Sequence, residues 1–342
     1  MTIMRWVGAL AAVGIGFGLG TGAQAGPTLD KVKAAGQISC GVPTGVAGFA
    51  APDSQGHWAG FDVDVCRALS AAIFGAADKV KYVPLTAQQR FTALQSGEVD
   101  LLSNNTTDTL QRDTALGFNF APVVFYDGQG FMVPKKLGVK SAKELNGATI
   151  CVQPGTTTEL NLADYFRANK MDFKPVVIEK RDEALNAFFS GRCDVFTSDS
   201  SALNADRLSQ APNPDDYVIL PERISKEPLA PVVRHGDEEW NDIVRWVVYA
   251  LIEAEEKGIT QKNVDDMAKS DDPNIKRMLG VTPGMGKALG LDEKWAYNEI
   301  KLVGNYGEIF DRTLGKDTEL KFERGLNNLW TRGGLLYAMP IR

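Results

Sequence analysis

The chain has 342 residues, 44% of them hydrophobic, with 37 basic against 43 acidic residues and a formal net charge of −6. That composition excludes a disordered polymer, and an acidic chain without a basic stripe is a poor nucleic-acid binder. The length suits two domains rather than one, and no low-complexity tract or solenoid-period repeat is present.

MTIMRW places one positive charge at Arg5, the apolar run VGALAAVGIGFGLG follows, and the small-x-small triplet Ala23, Gln24, Ala25 comes after it. The run is shorter than the roughly 20 residues of a spanning helix, so residues 1–25 read as a cleaved signal peptide. The mature chain is then expected to begin at Gly26 as an exported, soluble protein of net charge −7, since Arg5 is the only charged residue removed.

PTLDKVKAAGQISCGVPT predicts a short helix capped at Thr28 and stopped near Gly36, then a strand from Ile38 to Val42. In FDVDVCRALSAAIFG, the apolar residues Val63, Val65, Ala68, Leu69 and Ile73 recur at helical period, and Gly75 ends the helix. KVKYVPL is a strand, TAQQRFTALQSG a helix ending at Gly97, and VDLLS another strand. GQGFMVP reads as extended, and a second round follows: strand NGATICVQ, helix GTTTELNLADYF, strand PVVIE, helix RDEALNAFFSGR, strand CDVFTSD. Such alternation argues for α/β architecture with parallel sheets flanked by helices, built as two lobes.

KEPLAPVVR, residues 226–234, is interrupted by Pro228 and Pro231 and suits a crossing strand better than a core one. DEEWNDIVRWVVYALIEAEEKG predicts an amphipathic helix with Trp240, Ile243, Val244, Val247, Val248, Leu251 and Ile252 on one face. From about Ser270 onward, helix-like runs broken by glycines are apolar enough to pack back on a lobe.

In an exported chain, paired thiols are the default. Cys40 and Cys66 lie in the first third and Cys151 and Cys193 near the middle, which favours those two bridges; four cysteines allow three pairings, and the sequence does not choose among them.

Catalytic signals are thin. His57 and His235, the only histidines, read as surface residues at neither triad nor metal-ligand spacing, and no C-x-x-C, G-x-S-x-G, Walker A or dinucleotide glycine pattern occurs. No catalytic residue, metal or cofactor is therefore assigned.

Polar residues do stand at each expected strand C-terminal end, where open α/β sheets bind ligands. Asn104, Asn105, Thr106, Thr107 and Arg112 follow the strand ending at Leu102; Gly155 and Thr156 to Thr158 follow Gln153; Asp199 follows CDVFTS. Each has a plain alternative: a capped helix start with a solvated arginine, an N-cap threonine, and an aspartate capping the helix that SSALNADRL begins. Together they supply an arginine fork for a carboxylate, helix amides for the same anion and an aspartate for an ammonium, the parts of an α-amino acid site.

GFDVDVCRAL (Gly60 to Leu69), the T-x-x-R of Thr109 to Arg112, QPGTTTE, GRCDVFTSD and KEPLAPVVR resemble the periplasmic solute-binding proteins of polar amino acid ABC transporters. GNYGEIFDRTLG and RGLNNLWTRGGLLYAMPIR look like the longer, general L-amino acid-binding subgroup, and the likeness spans essentially the whole mature chain. The resemblance implies a two-lobed periplasmic-binding-protein fold, each lobe a mixed, mostly parallel sheet flanked by helices. Lobe 1 is expected over residues 26–130 and lobe 2 over 131–228, with 229–342 returning to lobe 1 and ending in a helical C-terminal extension. A hinge is expected in two crossovers near Gly130 to Pro134 and Glu227 to Val232.

The same resemblance implies that Arg112 binds a ligand α-carboxylate, helped by Thr107 and by the backbone and side chain of Thr157, while the Asn105 carbonyl and Asp199 take the α-ammonium. Asp62 and Asp64 read as structural or surface groups. Compact members carry an aromatic lid in the first βα loop; an ungapped comparison puts Val46 there, so Phe49, three residues on, is expected to replace it over the ligand side chain. The implied function is a monomeric periplasmic receptor for free L-amino acids, acidic and amide side chains favoured, that delivers them to a membrane permease of an ABC transporter. The alternatives are a dehydratase-like enzyme on the same bilobal scaffold and a ligand-presenting sensory receptor.

Overall fold

The computed structural model describes residues 27–342; the expected signal peptide, residues 1–25, lies outside the described residues. Helix α1 (Pro27–Ala35) starts on Pro27, whose fixed φ and missing N–H suit the first helical position. Thr28 is therefore inside the helix and not its cap, and its N–H donates to Asp237 Oδ2 at 2.9 Å.

Strand β1 (Ile38–Pro43) is followed by the hairpin β2 (Ala51–Pro52) and β3 (Trp58–Ala59), then by α2 (Phe61–Phe74). Gly60 precedes α2 at φ 133°, and a Cβ there would stand 2.2 Å from the Phe49 carbonyl oxygen, so only glycine fits this entry. Strand β4 (Val80–Leu85), α3 (Arg90–Ser96), β5 (Leu101–Leu102), β6 (Phe118–Phe120) and β7 (Phe125–Asp127) complete the first half. Between β5 and β6 the polar run is mostly irregular, with one wide helical turn at Gln111–Ala115 closed by Leu116 N–H on the Gln111 carbonyl at 3.0 Å. Such i→i+5 turns concentrate at functional sites.

The second half contains β8 (Gln129–Pro134), β9 (Thr149–Val152), α4 (Thr157–Ala168), β10 (Lys174–Val177), α5 (Arg181–Phe189), β11 (Val195–Asp199), α6 (Ser200–Ser209) and β12 (Tyr217–Ile219). Strands β13 (Glu227–Leu229) and β14 (Val232–Arg234) then lead to the long amphipathic α7 (Glu238–Glu256). The two main sheets run in the orders β4-β1-β5-β14-β6 and β10-β9-β11-β8-β12, parallel where helices connect the strands and antiparallel at β8, β12 and β14.

Two details differ from the sequence reading. Gln129–Pro134 is an interior strand of the second sheet, not a crossover; the crossing pair is β7 against β13, antiparallel, with Glu227 opposite Asp127. Of residues 226–234 only the first part crosses, because after Pro231 strand β14 joins the first sheet between β5 and β6. Buried apolar side chains on both faces, not the prolines, decide these placements: Phe131, Met132 and Val133 are fully buried, as is Val232.

The C-terminal extension contains α8 (Val264–Met267), α9 (Pro273–Met278), α10 (Met285–Ala288), α11 (Trp295–Leu302) and α12 (Tyr306–Thr313). Helices α11 and α12 pack on α2 and α7. Arg312 grips the buried Asp64 carboxylate through Nε at 2.8 Å and Nη2 at 2.6 Å, so Asp64 is a structural anchor for the extension. The Asn327 side chain accepts from and donates to the backbone of Tyr126 on β7, tying the extension to the crossing ribbon. Disulfides join Cys40 to Cys66 and Cys151 to Cys193, stapling β1 to α2 and β9 to the entry of β11.

Glu299 on α11 is 0% exposed, and neither carboxylate oxygen has a hydrogen-bond partner among the described residues. Burial raises its pKa well above the usual carboxylate range. The native state then binds a proton that the unfolded chain has released, so this group's contribution is fully present below the unfolded pKa and is lost as pH rises toward the raised folded value. Glu299→Gln is expected to flatten the fall of melting temperature as pH rises above the ordinary carboxylate range; an unchanged slope in pH-dependent thermal melts would show that Glu299 finds a partner in solution.

Candidate functional site

The polar strand ends of the two sheets face each other across a cavity of about 70 Å³. From the first half its wall includes Thr44, Val46, Arg90, Asn104, Asn105 and Thr107; from the second, Gln153, Thr156 to Thr158, Arg181, Ser198 and Asp199. The halves touch directly around it. Thr86 Oγ1 donates to Glu179 Oε1 at 2.8 Å, and Gly155, at φ 72°, brings its backbone so near Gln88 that a Cβ would lie 3.2 Å from the Gln88 Cα.

Buried Asp62, on the first turn of α2, holds the loop after β5. It accepts from Ser103 Oγ at 2.9 Å and from the Asn105 N–H, and burial pushes its pKa up to about 7. Asn105 itself sits at φ 42°, an uncommon conformation for a residue with a side chain. Its carbonyl is touched only weakly, by Arg90 Nη1 at 3.4 Å, and its buried Oδ1 has no partner among the described residues. On the opposite side, Thr156 caps α4 by accepting from the Glu159 N–H at 3.0 Å, which leaves the N–H groups of Thr157 and Thr158 without intrahelical partners.

Three charged groups converge here with no ion pair among the described residues. Arg112 is 7% exposed, donates Nη1 to the Thr107 carbonyl at 2.8 Å and stacks on the Phe91 ring at 5.0 Å. Arg90 stacks on the same ring at 5.0 Å, donates to the Asn104 carbonyl at 2.9 Å, and has a buried Nε with no partner among the described residues. Burial first, then the Arg112 charge, brings the Arg90 pKa down to about 9, and burial likewise lowers that of Arg112. Asp199 stands at the N-cap position of α6, yet its carboxylate makes no capping bond. Burial, then the carboxylates of Asp127 and Glu227, raises its pKa well above the ordinary range.

Neighbouring charges are satisfied, which sharpens the contrast. Arg181 pairs with Asp206. Asp127 accepts from the Gly128 N–H and from Ser201. Glu227 accepts from Thr107 Oγ1 at 2.6 Å, Thr157 Oγ1 at 2.8 Å, Asn161 Nδ2 at 2.8 Å and Ser225 Oγ.

Of the residues expected at the site, Asn105, Thr107, Thr157 and Asp199 line the cavity, and Arg112 stands directly behind Thr107. Phe49 does not belong: it is 1% exposed in the first core, with its ring 5.2 Å from Phe125 and 6.4 Å from Phe61, and Val46 lines the cavity instead. A benzyl group in that loop gains more from an aromatic cluster than from a polar cleft. Arg90 and Glu227 were missed. Arg90 carried a signal, being a cation at the head of a helix that follows a strand end; Glu227, between a lysine and a proline, carried none.

A sequence model described as bacterial extracellular solute-binding proteins, family 3, matches residues 38–265. The general L-amino acid-binding periplasmic protein of Rhizobium johnstonii is 59% identical over 97% of this chain and 98% of its own. The glutamate/glutamine/aspartate/asparagine-binding protein of Rhodobacter capsulatus is 56% identical over 94% of this chain and 95% of its own. A solved ABC transporter periplasmic binding protein from Brucella ovis, with glutathione bound, superposes with a TM-score of 0.90 at 58% identity, covering 92% of this chain and 99% of the other. Among the described residues, no helix is long and apolar enough to cross a membrane.

Proposed function

From the premise that the chain belongs to family 3 of the bacterial extracellular solute-binding proteins, we propose that it is a periplasmic receptor for free L-amino acids, with acidic and amide side chains preferred, serving an ABC transporter permease. One observation carries the ligand class: the buried Arg90 and the half-buried Asp199 line the cavity, the buried Arg112 stands just behind its Thr107 wall, and none of the three has an ion-pair partner among the described residues. Burying an unpaired charge is expensive, so each awaits a ligand group. An acidic amino acid carries the complementary set, two carboxylates and one ammonium.

In this reading Arg112 takes the α-carboxylate with the free N–H groups at the start of α4, and Arg90 takes the side-chain carboxylate or amide oxygen. Asp199 and the Asn105 carbonyl take the α-ammonium, while Thr107 and Thr157 close the site between them. The glutamate, glutamine, aspartate and asparagine named for the Rhodobacter relative support the preference. Glutathione, named for the Brucella structure, presents the same α-ammonium and α-carboxylate on its γ-glutamyl end. The lobes divide at the β7–β13 ribbon, close to residue 128, with residues beyond 229 returning to the first lobe. The ribbon is the hinge about which they close, as a monomer.

A thermal-shift screen of the twenty amino acids and glutathione tests the reading, because a ligand selective for the folded form raises the melting temperature by mass action. Glutamate, glutamine, aspartate and asparagine should give the largest shifts, and a bound ligand should be recovered unchanged after long incubation. Arg90→Ala is expected to weaken glutamate by about tenfold more than alanine in calorimetry, as fits one charge-assisted contact. Equal losses for both ligands would remove Arg90 from the side-chain pocket.

A further inference from the structure

The cavity wall has a hydrogen-bond polarity that its residue types alone do not set. Glu227, on crossing strand β13, is 1% exposed and does not line the cavity; it lies behind Thr107 and Thr157, which do. Both threonine hydroxyls donate to its Oε2, at 2.6 and 2.8 Å, while Oε1 takes Asn161 and Ser225. Four donors fill the roughly four lone-pair positions of a carboxylate. A threonine hydroxyl has a single hydrogen. With that hydrogen committed to Glu227, each Oγ1 can face the cavity only as an acceptor.

We propose that Glu227 is a positioning residue that fixes the selectivity of the cleft, by holding both hydroxyl hydrogens so that Thr107 and Thr157 accept from the ligand's α-ammonium and do not donate to a carboxylate. The proposal rests on the amino acid reading given above and assigns the two threonines within it. The ammonium then has hydroxyl oxygens from both halves of the molecule, Thr107 after β5 and Thr157 on α4, beside Asp199. A dicarboxylate without an amino group would set its oxygens against lone pairs. Discrimination of that kind comes from an unfavourable contact as much as from a favourable one. Glu227 reaches the ligand only through the threonines.

The test compares L-glutamate with glutarate, its counterpart without the amino group, by calorimetry on the wild type and Glu227→Gln. The amide keeps only one acceptor oxygen: if it lies on the Oε2 side, its NH2 faces Asn161 and Ser225, which must both turn to accept, and if it lies on the Oε1 side, the threonine hydroxyls lose their acceptor and turn their hydrogens toward the cavity. Glutamate affinity is expected to fall by about tenfold or more while glutarate loses little or gains, narrowing their ratio. Thr157→Val removes one acceptor, leaves Glu227 in place and should narrow the ratio in the same direction; it is the reporter if Glu227→Gln does not fold. Equal losses for both ligands would leave Glu227 a mere strut between the halves and overturn the proposal. So would a folded Thr157→Val variant that binds glutamate normally and still rejects glutarate. If the wild type binds no amino acid at all, the receptor reading fails first and this proposal falls with it; wild-type discrimination that survives in both variants sinks the proposal alone.

Discussion

Arg112→Ala is expected to remove measurable amino acid binding while leaving the fold intact. The guanidinium is held by one hydrogen bond to the Thr107 carbonyl and by the face of Phe91, with no carboxylate of the described residues within ion-pair distance. It contributes little to the empty protein, and its burial already lowers its pKa. In the liganded state proposed above, the same group becomes the partner of a desolvated carboxylate. Truncating one partner of a buried ion pair costs about 3–5 kcal/mol, and each 1.4 kcal/mol or so is a factor of ten in Kd. A micromolar ligand would be pushed to roughly millimolar or weaker. Arg112→Met, which keeps more of the stem packed on Phe91, should lose binding to the same extent and separate charge from shape. Near-normal affinity in either variant by calorimetry, with an unaltered circular dichroism spectrum, would show that Arg90 and the α4 amides alone hold the carboxylates.

Much of this site was legible because its residues sit at strand ends, and strand ends are announced by hydrophobic periodicity. Val99 to Leu102 and Cys193 to Thr197 read as strands without help, which places Asn105, Thr107 and Asp199 at the sheet edge where they are found. Helix stops at Gly75 and Gly97 were equally plain, since both occupy left-handed caps. Failures came where tertiary context decides. A short extended run such as Gln129–Pro134 can be a crossover or a central strand, and only its neighbours on both sides, β11 and β12, choose. Phe49 could have faced a ligand or a core; the nearby rings of Phe61 and Phe125, distant in sequence, settle it. Glu227 was invisible because its role lies in four partners scattered from Thr107 to Ser225. Hydrogen-bond polarity is a property of the assembled wall and has no sequence pattern.

Asp199→Asn is expected to weaken binding by roughly a hundredfold, about 2.8 kcal/mol and toward the lower end of the range of about 2–5 kcal/mol for truncating one partner of a hydrogen-bonded charge pair, and to erase a proton release that accompanies binding in the wild type. The empty cleft sets Asp199 near Asp127 and Glu227, and burial together with those like charges raises its pKa well above the usual carboxylate range. An arriving ammonium favours the ionised form and brings the pKa back down. Between the bound and the empty values a proton leaves as the ligand enters, so affinity must rise with pH across that window and level off above it. Calorimetry in buffers of different ionisation enthalpy reads the release directly. The same raised pKa means that, in the empty protein, the group's contribution to stability is present at low pH and lost as pH rises through the folded value. Asp199→Asn should therefore leave the empty protein as stable as the wild type at low pH and more stable above the window. A variant that binds glutamate with wild-type affinity, or a wild type whose binding enthalpy is independent of buffer throughout, would place the ammonium elsewhere and leave the Asn105 carbonyl and the threonine oxygens as its acceptors.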